Sequence, residues 1–194
     1  MTIEDATPEE ASLIADAIIA AIGPELTLHL AGDNNTPADV HALFTRLAAR
    51  DDSQYSYRNS RVARNDDGKP MGVCVSYDGA DLKRLRRPFF AEANATFGWN
   101  MSADEIEAVP GETEPDEFYL DTLMTLPAYR GRGIGAALIR DAAKKAADAG
   151  KPLGLLCDTD NDRARRLYDS VGFIDRGLRP FAGHMMNHLQ LDFS

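Results

Sequence analysis

Several kinds of residue are scarce in this chain. Two cysteines, Cys74 and Cys157, occur in 194 residues, each inside an apolar, strand-like run. Two distant thiols do not make a disulfide scaffold, so both read as core residues of a reduced protein. Of the four histidines, His184 and His188 share a strand face with no carboxylate or cysteine pattern beside them, and no metal site is expected. No apolar run approaches a membrane span, and the start "MTIEDATPEE" lacks a charged-then-apolar leader, so a cytoplasmic protein with no membrane partner is expected. Positive charge is also short, with 21 Lys and Arg against 31 Asp and Glu and a net charge of −10. That balance argues against a nucleic-acid partner, because neutralising phosphates takes surplus Lys and Arg. There is no internal repeat, low-complexity tract or long linker, and the length suits one domain over residues 1–194.

Positive charge is nevertheless concentrated in one place. Residues 130–166 hold nine Lys and Arg against five Asp, a cationic island on an acidic chain. Such an island suits a small anionic ligand held at one place. In contrast, residues 102–117, "SADEIEAVPGETEPDE", carry seven acids and no base. An acidic run of this kind would attract a cationic amine, although acidic surface loops need no ligand.

The periodicities set out the elements. "TIEDAT" reads as a short strand, followed by a helix with Thr7 as N-cap, Pro8 in its first turn and Gly23-Pro24 as its stop. "TPADVHALFTRLAAR" has the same kind of start, with Val40, Leu43, Phe44 and Leu47 at helical spacing. "YSYRNSRVAR" and "PMGVCVSY" flank the turn "NDDGK" and predict a hairpin. Residues 80–100 and 102–108 read as helical or irregular. The second half alternates: strand "EFYLDTLMTL", helix from about Ile134 to Ala149, strand "PLGLLCD", helix "NDRARRLYDSVG", a short strand "FID" and a last strand "HMMNHLQLDF". In that last strand Met185, Leu189, Leu191 and Phe193 share a face. Strand, helix, strand with a short connection implies a parallel pair, while the hairpin and the last strand imply antiparallel neighbours. The expected fold is therefore α/β (α+β): a mixed, mostly antiparallel sheet with a parallel β-α-β centre, flanked by helices.

The stretch "YRGRGIGAALIR", Tyr129 to Arg140, is what core packing alone would not ask for. It places glycines and two arginines at a helix start, where bare backbone N–H groups and the helix dipole favour an anion. A P-loop is excluded, since Gly-Lys-Ser/Thr is absent and Gly135-Ala136-Ala137 stands in its place. A dinucleotide fingerprint has partial support from Gly131, Gly133 and Ala136, with Asp158 at the end of the next strand. Against it, "PAYR" separates strand from glycines, and 36 residues after Asp158 are too few for the rest of that fold.

Two motifs together point elsewhere. "LDTLMTLPAYRGRGIGAAL" and, downstream, "NDRARRLYDSVGF" are joined by a strand. Over residues 117–176 the chain resembles the GNAT superfamily of acyl-CoA-dependent N-acyltransferases, whose motifs are an Arg-Gly-x-Gly-x-Gly/Ala loop and an Asn-x-x-Ala-x-x-x-Tyr-x-x-x-Gly-Phe helix. The resemblance implies that the amides of Arg130, Gly131, Arg132, Gly133, Ile134, Gly135 and Ala136 bind the pyrophosphate of coenzyme A. It also implies that the strand edge at Leu123, Met124 and Thr125 splays from its neighbour and pairs with the pantetheine. The family usually has Val or Ile where Thr125 stands, a change that a backbone contact tolerates. Asn161 matches the position that helps orient the cosubstrate, and Arg165 and Arg166 are candidates for its 3′-phosphate.

The implied reaction is transfer of the acetyl group of acetyl-CoA to a primary amine by direct attack in a ternary complex. Tyr168 is the expected general acid, since a neutral phenol can protonate a departing thiolate. The amine must lose a proton before it attacks. Glu117, Tyr119 and Asp121 alternate onto one strand face, which offers Asp121 as base or orienting carboxylate, with Glu117 or water as the alternatives. The acceptor stays open among small-molecule amines, polyamines and a protein N-terminus or lysine, as does a homodimer. A non-catalytic domain that senses acyl-CoA is the reading from another functional class.

Overall fold

A computed structural model of the chain describes residues 1–193. Its seven strands, β1 (Thr2–Asp5), β2 (Ser60–Arg64), β3 (Pro70–Asp78), β4 (Phe118–Thr125), β5 (Leu153–Asp158), β6 (Ile174–Phe181) and β7 (His184–Leu191), form one sheet in the order β1-β2-β3-β4-β5-β7-β6. Every neighbouring pair is antiparallel except β4 and β5, which are parallel. The helices are α1 (Ala11–Ala31), α2 (Pro37–Ala49), α3 (Leu82–Leu85), α4 (Arg87–Phe97), α5 (Ala103–Ala108), α6 (Ile134–Asp148) and α7 (Asp162–Val171).

The sheet separates two cores, and strand alternation decides which side chain enters which. Val62, Val73 and Val75 face α1 and α2, where they join Ile14, Ile18, Val40, Leu43, Phe44 and Leu47. The intervening Ala63 and Cys74 face α6 with Leu138, Ile139, Ala142, Leu153, Leu155 and Leu189. Both cysteines are free and buried, and burial pushes their thiols up to about 12 for Cys74 and about 11 for Cys157. Neither is a nucleophile at neutral pH. In the predicted hairpin, the side chain of Asn65 accepts from the amides of Asp67 and Lys69, and Gly68 takes the left-handed conformation.

Several local readings change. The helix that starts near Pro8 does break at Gly23 (φ 77°), but Pro24 then opens a further helical stretch to Ala31, with the Thr27 hydroxyl donating to the Gly23 carbonyl at 2.7 Å. Counted across that kink, Pro8–Ala31 is long and apolar enough to cross a membrane by length and composition, contrary to the sequence reading. In this fold its residues Ile14, Ala15, Ala17 and Ile18 are packed in the core. Tyr55 to Asn59 does not join the hairpin; Tyr57–Asn59 is a 3₁₀ turn. The Asn59 side chain donates to the carbonyls of Ser53 and Gln54, and Ser56 accepts from the Arg58 amide, so polar side chains hold the backbone out of the ladder. β6 runs well past "FID", with Ile174 and Leu178 exposed on an edge strand that lacks a buried face. On β7 Leu189 is buried, whereas Met185, and Phe193 beyond the strand end, are exposed.

Candidate active site

The parallel pairing of β4 and β5 lasts for two residues, Phe118 with Leu153 and Tyr119 with Gly154. β4 stays paired to β3 as far as Thr125 opposite Gly72, so from Leu120 onward its β5-facing edge has no strand partner. The register explains the opening. Val75 lies opposite Thr122 and Ser76 opposite Leu120, which leaves Asp121 as an extra residue on β4. A bulge of this kind bends its strand and raises the local twist, and here it coincides with the point where β4 leaves β5. Along the open edge, half-buried Leu123 packs toward α6, Met124 is buried on the α1 side, and the Thr125 carbonyl accepts from Arg130 Nε at 3.3 Å.

The wedge leads to the glycine loop. Gly131 and Gly133 have φ of 74° and 76°, in the left-handed region, and a Cβ on either would meet nothing within 4 Å. Gly133 is the N-cap of α6 and offers no capping side chain; the first helical bond runs from the Ala137 amide to the Gly133 carbonyl. The amides of Gly131, Arg132, Gly133, Ile134, Gly135 and Ala136 therefore find no acceptor among the described residues. Six consecutive unpaired donors around an open cradle, at the positive end of a 15-residue helix, form an anion site. Ile134 is buried and anchors the turn. A Cβ on Gly135 would lie 3.2 Å from Leu167 and 3.6 Å from the Thr125 hydroxyl, so the small residue lets α6, α7 and β4 meet. Arg132 lies over the Tyr129 ring at 5.5 Å, leaving its charge at the loop.

On the α6 side of the wedge stands Tyr168. Asn161 caps α7 by accepting from the Ala164 amide at 3.0 Å, and its NH₂ group makes no hydrogen bond among the described residues. The Tyr168 ring packs edge-on against Phe173, with centroids 5.5 Å apart, beside Cys157 of β5. Burial drives its phenol well above the usual range, so it is neutral and protonated. Its hydroxyl has no hydrogen-bond partner among the described residues, yet is not fully enclosed. Arg165 is taken up by Asp169 and Asp175.

Asp121 and Tyr119 face the other side, toward Tyr77. The Asp121 carboxylate accepts from Thr122 Oγ1 at 2.8 Å, Tyr77 Oη at 2.9 Å and Gln54 Nε2 at 3.5 Å. Burial, then the neighbouring Glu112, raise it to about 7, and the hydrogen bonds only partly offset this. Glu112, Gln54 and Tyr77 were not candidates from the sequence. Nothing in the acid run marks Glu112, which is buried while Asp104, Glu105, Glu107, Glu114 and Asp116 are exposed.

Glu117, the alternative base, has a different setting. It is fully buried and accepts from Thr113 Oγ1 at 2.7 Å, the Glu114 amide at 2.9 Å, His188 Nε2 at 2.8 Å and Gln190 Nε2 at 2.9 Å. Burial alone would raise its carboxyl, but these donors prevail and hold it at about 2. A carboxylate so committed cannot collect a proton at neutral pH. His188 thus does have a carboxylate beside it, supplied by a residue far away in sequence. Among the described residues, no group of three His, Cys, Asp or Glu side chains is arranged to hold a metal.

The Acetyltransferase (GNAT) family model matches residues 27–173. The chain belongs to the GNAT family. A solved acetyltransferase structure covers 99% of the chain and 99% of its own length at 30% identity and a TM-score of 0.77. An N-acetyltransferase from Staphylococcus aureus Mu50 superposes over 98% of the chain and 100% of its own length, with a TM-score of 0.75 and 24% identity, which speaks for the shared fold. Among curated proteins, the N-alpha-acetyltransferase RimI of Mycobacterium tuberculosis (strain ATCC 25618 / H37Rv) is 46% identical over 69 residues, 36% of this chain and 42% of that protein. The match thus spans less than half of that relative's length. GNAT proteins use acetyl-CoA, and in this member the open β4 edge and glycine loop fall in the first motif and α7 with Tyr168 in the second.

Proposed function

We propose that the protein transfers the acetyl group of acetyl-CoA to a primary amine by direct attack in a ternary complex. The observation that carries this reading is the continuity of an unpaired β4 edge with a loop of six unpaired amides. The edge offers backbone partners to the pantetheine amides. The loop offers the amides of Gly131 through Ala136 as donors to the pyrophosphate, and Arg130, whose own amide donates to the Pro127 carbonyl, and Arg132 add positive potential. Asn161, whose NH₂ group makes no hydrogen bond among the described residues, follows the C-terminal end of β5, parallel to the end of β4 that the glycine loop follows.

The chemistry divides across the wedge. Asp121 takes a proton from the ammonium of the acceptor, and its proton affinity near neutrality suits that exchange. The freed amine nitrogen then bonds to the thioester carbon. As the C–S bond breaks, the electron pair leaves on sulfur and the Tyr168 hydroxyl supplies the proton; the second proton, shed by the nitrogen as the amide forms, restores the tyrosine hydroxyl. In bulk water a thiolate, with a thiol pKa of about 8.5, would not take a proton from a phenol of about 10. Desolvation in the wedge raises the proton affinity of both, so donation rests on the bond that forms as charge builds on sulfur.

The test is free-thiol release from acetyl-CoA over a panel of small amines, polyamines and peptides with free N-termini. The partial likeness to an N-alpha-acetyltransferase puts peptide N-termini first in that panel. Turnover with any acceptor supports an enzyme. Binding of acetyl-CoA, seen as thermal stabilisation, without turnover across the panel would favour a sensor domain. Stabilisation by NAD and none by coenzyme A species would overturn the cosubstrate assignment.

A further inference from the structure

Asp121 shares its environment with a second carboxylate. Tyr77 Oη lies 2.9 Å from Asp121 Oδ2 and 3.2 Å from Glu112 Oε1. Gln54 Nε2 lies 3.5 Å from the same Asp121 oxygen and 3.1 Å from the same Glu112 oxygen. Both carboxylates touch one hydroxyl, so the two oxygens are within about 6 Å of each other. Gln54 has two amide protons and can serve both, but Tyr77 has one. With both carboxyls ionised, one of the Tyr77 contacts is oxygen against oxygen with no proton between them. A single proton added to the pair repairs this: the protonated carboxyl donates to Tyr77 Oη, and Tyr77 donates onward to the other.

The surroundings decide which partner keeps the negative charge. The groups facing the pair are Tyr55, Tyr77 and Tyr119, all held neutral by burial, and the guanidinium of Arg86. Arg86 is buried, donates to the carbonyls of Ile106 at 3.1 Å and Pro110 at 3.4 Å, and has no carboxylate within ion-pair distance among the described residues. Burial raises the Glu112 carboxyl, and its hydrogen bonds and the Arg86 field pull it back, whereas Asp121 has burial and the Glu112 charge raising it together. The proton that the geometry calls for therefore falls to Asp121.

We propose that Glu112 is a positioning residue that acts through Asp121: its fixed negative charge, coupled across Tyr77 and Gln54, makes Asp121 basic enough to accept a proton from the acceptor amine. This rests on the reading of Asp121 as the base, and extends it to a residue that never meets the substrate. A like charge at such a distance raises a carboxyl's proton affinity, whereas a lone aspartate would be too weak a base to collect a proton near neutral pH. Burial alone pushes in the same direction, and the experiment separates the two causes.

The experiment combines kinetics with a titration that needs no turnover. Carboxyl carbons of aspartate are labelled with ¹³C, and the Asp121 resonance, assigned by its loss in Asp121→Asn, is followed against pH in the resting protein. In Glu112→Gln the Asp121 midpoint is expected to fall by about one pH unit or more, and the acid limb of kcat/KM against pH to move down with it. In Tyr77→Phe, which keeps the ring but removes the hydroxyl that relays the bond from protonated Asp121 to Glu112, the midpoint is expected to fall. That variant serves also if Glu112→Gln does not fold. A midpoint unchanged in Glu112→Gln, or unmoved or raised in Tyr77→Phe, overturns the coupling whatever the kinetics show. An acid limb that survives in Asp121→Asn would overturn the base assignment instead, and the two failures are told apart because the titration reads the resting protein.

Discussion

Glu117 and Asp121 lie four residues apart, at the start and the bulge of β4, and their chemistry is opposite. Glu117 is surrounded by four donors and held at about 2; Asp121 has fewer and longer contacts, a second acid beside it, and rises to about 7. Glu117 directly precedes the two residues of β4 that pair with β5, and a Cβ on Gly154 would fall 1.9 Å from its Oε2, so the strand approaches the carboxylate closely. Asp121 sits where that pairing has just ended. The sheet uses one carboxylate to close the joint and leaves the other able to exchange a proton at the opening. A buried acid becomes structural or chemical according to how many donors the backbone brings to it, and the bulge sets that number here.

The strongest way to break this contrast is to neutralise each acid in turn. Asp121→Asn is expected to lower kcat/KM by about 10³-fold, within the range for a positioned base. The loss should be largest between about pH 7 and the acceptor's own pKa, since below that range Asp121 is already protonated. Acetyl-CoA affinity should hardly change. A loss of less than tenfold throughout that range, with a good acceptor, would return the role to water.

Stability should show the contrast with opposite signs. Glu117 is lowered from its ordinary 4.5 to about 2, so its contribution is complete above 4.5 and disappears as pH falls through 2. Asp121 is raised from 3.8 to about 7, so between those values the folded state holds the extra proton and stability falls as pH rises. The effects are on the order of 3 kcal/mol for Glu117 and about 4 kcal/mol for Asp121 from the sizes of the shifts. Urea unfolding against pH should therefore show Glu117→Gln weakened by about 3 kcal/mol above pH 5, with turnover per folded molecule retained. Asp121→Asn should lose the decline between about 4 and 7. If both variants gave the same slope change, the two sites would not differ as described.

Tyr168→Phe probes the far side of the wedge. The ring, its contact with Phe173 and its burial survive, while the hydroxyl, which has no partner among the described residues, is removed. Stability should change by less than about 1 kcal/mol, because no hydrogen bond is lost. Turnover should fall by about 10²-fold with acetyl-CoA affinity retained, the mark of an interaction made as charge develops on sulfur. A kcat within a factor of about two of the parent would make Tyr168 a packing residue.

Much of this was legible in the sequence because it is local. The glycines and arginines of 130–136 name a loop by themselves, and Val73, Cys74 and Val75 alternate as their two cores require. Asp121 and Tyr168 could be singled out by strand period and helix motif. What stayed hidden depends on contacts across the fold. Glu112 is 9 residues from Asp121 in sequence, and Gln54 is 67; only the packed loops bring them to one Tyr77 hydroxyl. Two of the four partners of Glu117 lie 71 and 73 residues away on β7, so no local pattern could show how fully it was engaged. The bulge itself leaves no mark in the residue pattern, because it is a mismatch of counts between two strands.

The smallest expected effect belongs to an acid that lies between the others in sequence. Glu114 stands between Glu112 and Glu117 in the same run, yet its side chain is half exposed and pairs with Arg179 at 2.6 Å. Its amide supports Glu117, but that bond is made by the backbone and survives a side-chain change. An exposed pair of this kind contributes about 0–1 kcal/mol, and less as salt screens it. Glu114→Gln should therefore shift stability by no more than about 0.5 kcal/mol and leave the pH profile unmoved. The variant also tests whether the acidic run as a whole draws in a cationic acceptor. General attraction would raise KM for the amine in Glu114→Gln at low ionic strength and lose that effect in high salt. An unchanged KM at both salt levels would confine the chemistry of the run to its one buried pair member, Glu112, and leave the exposed acids as solvated surface.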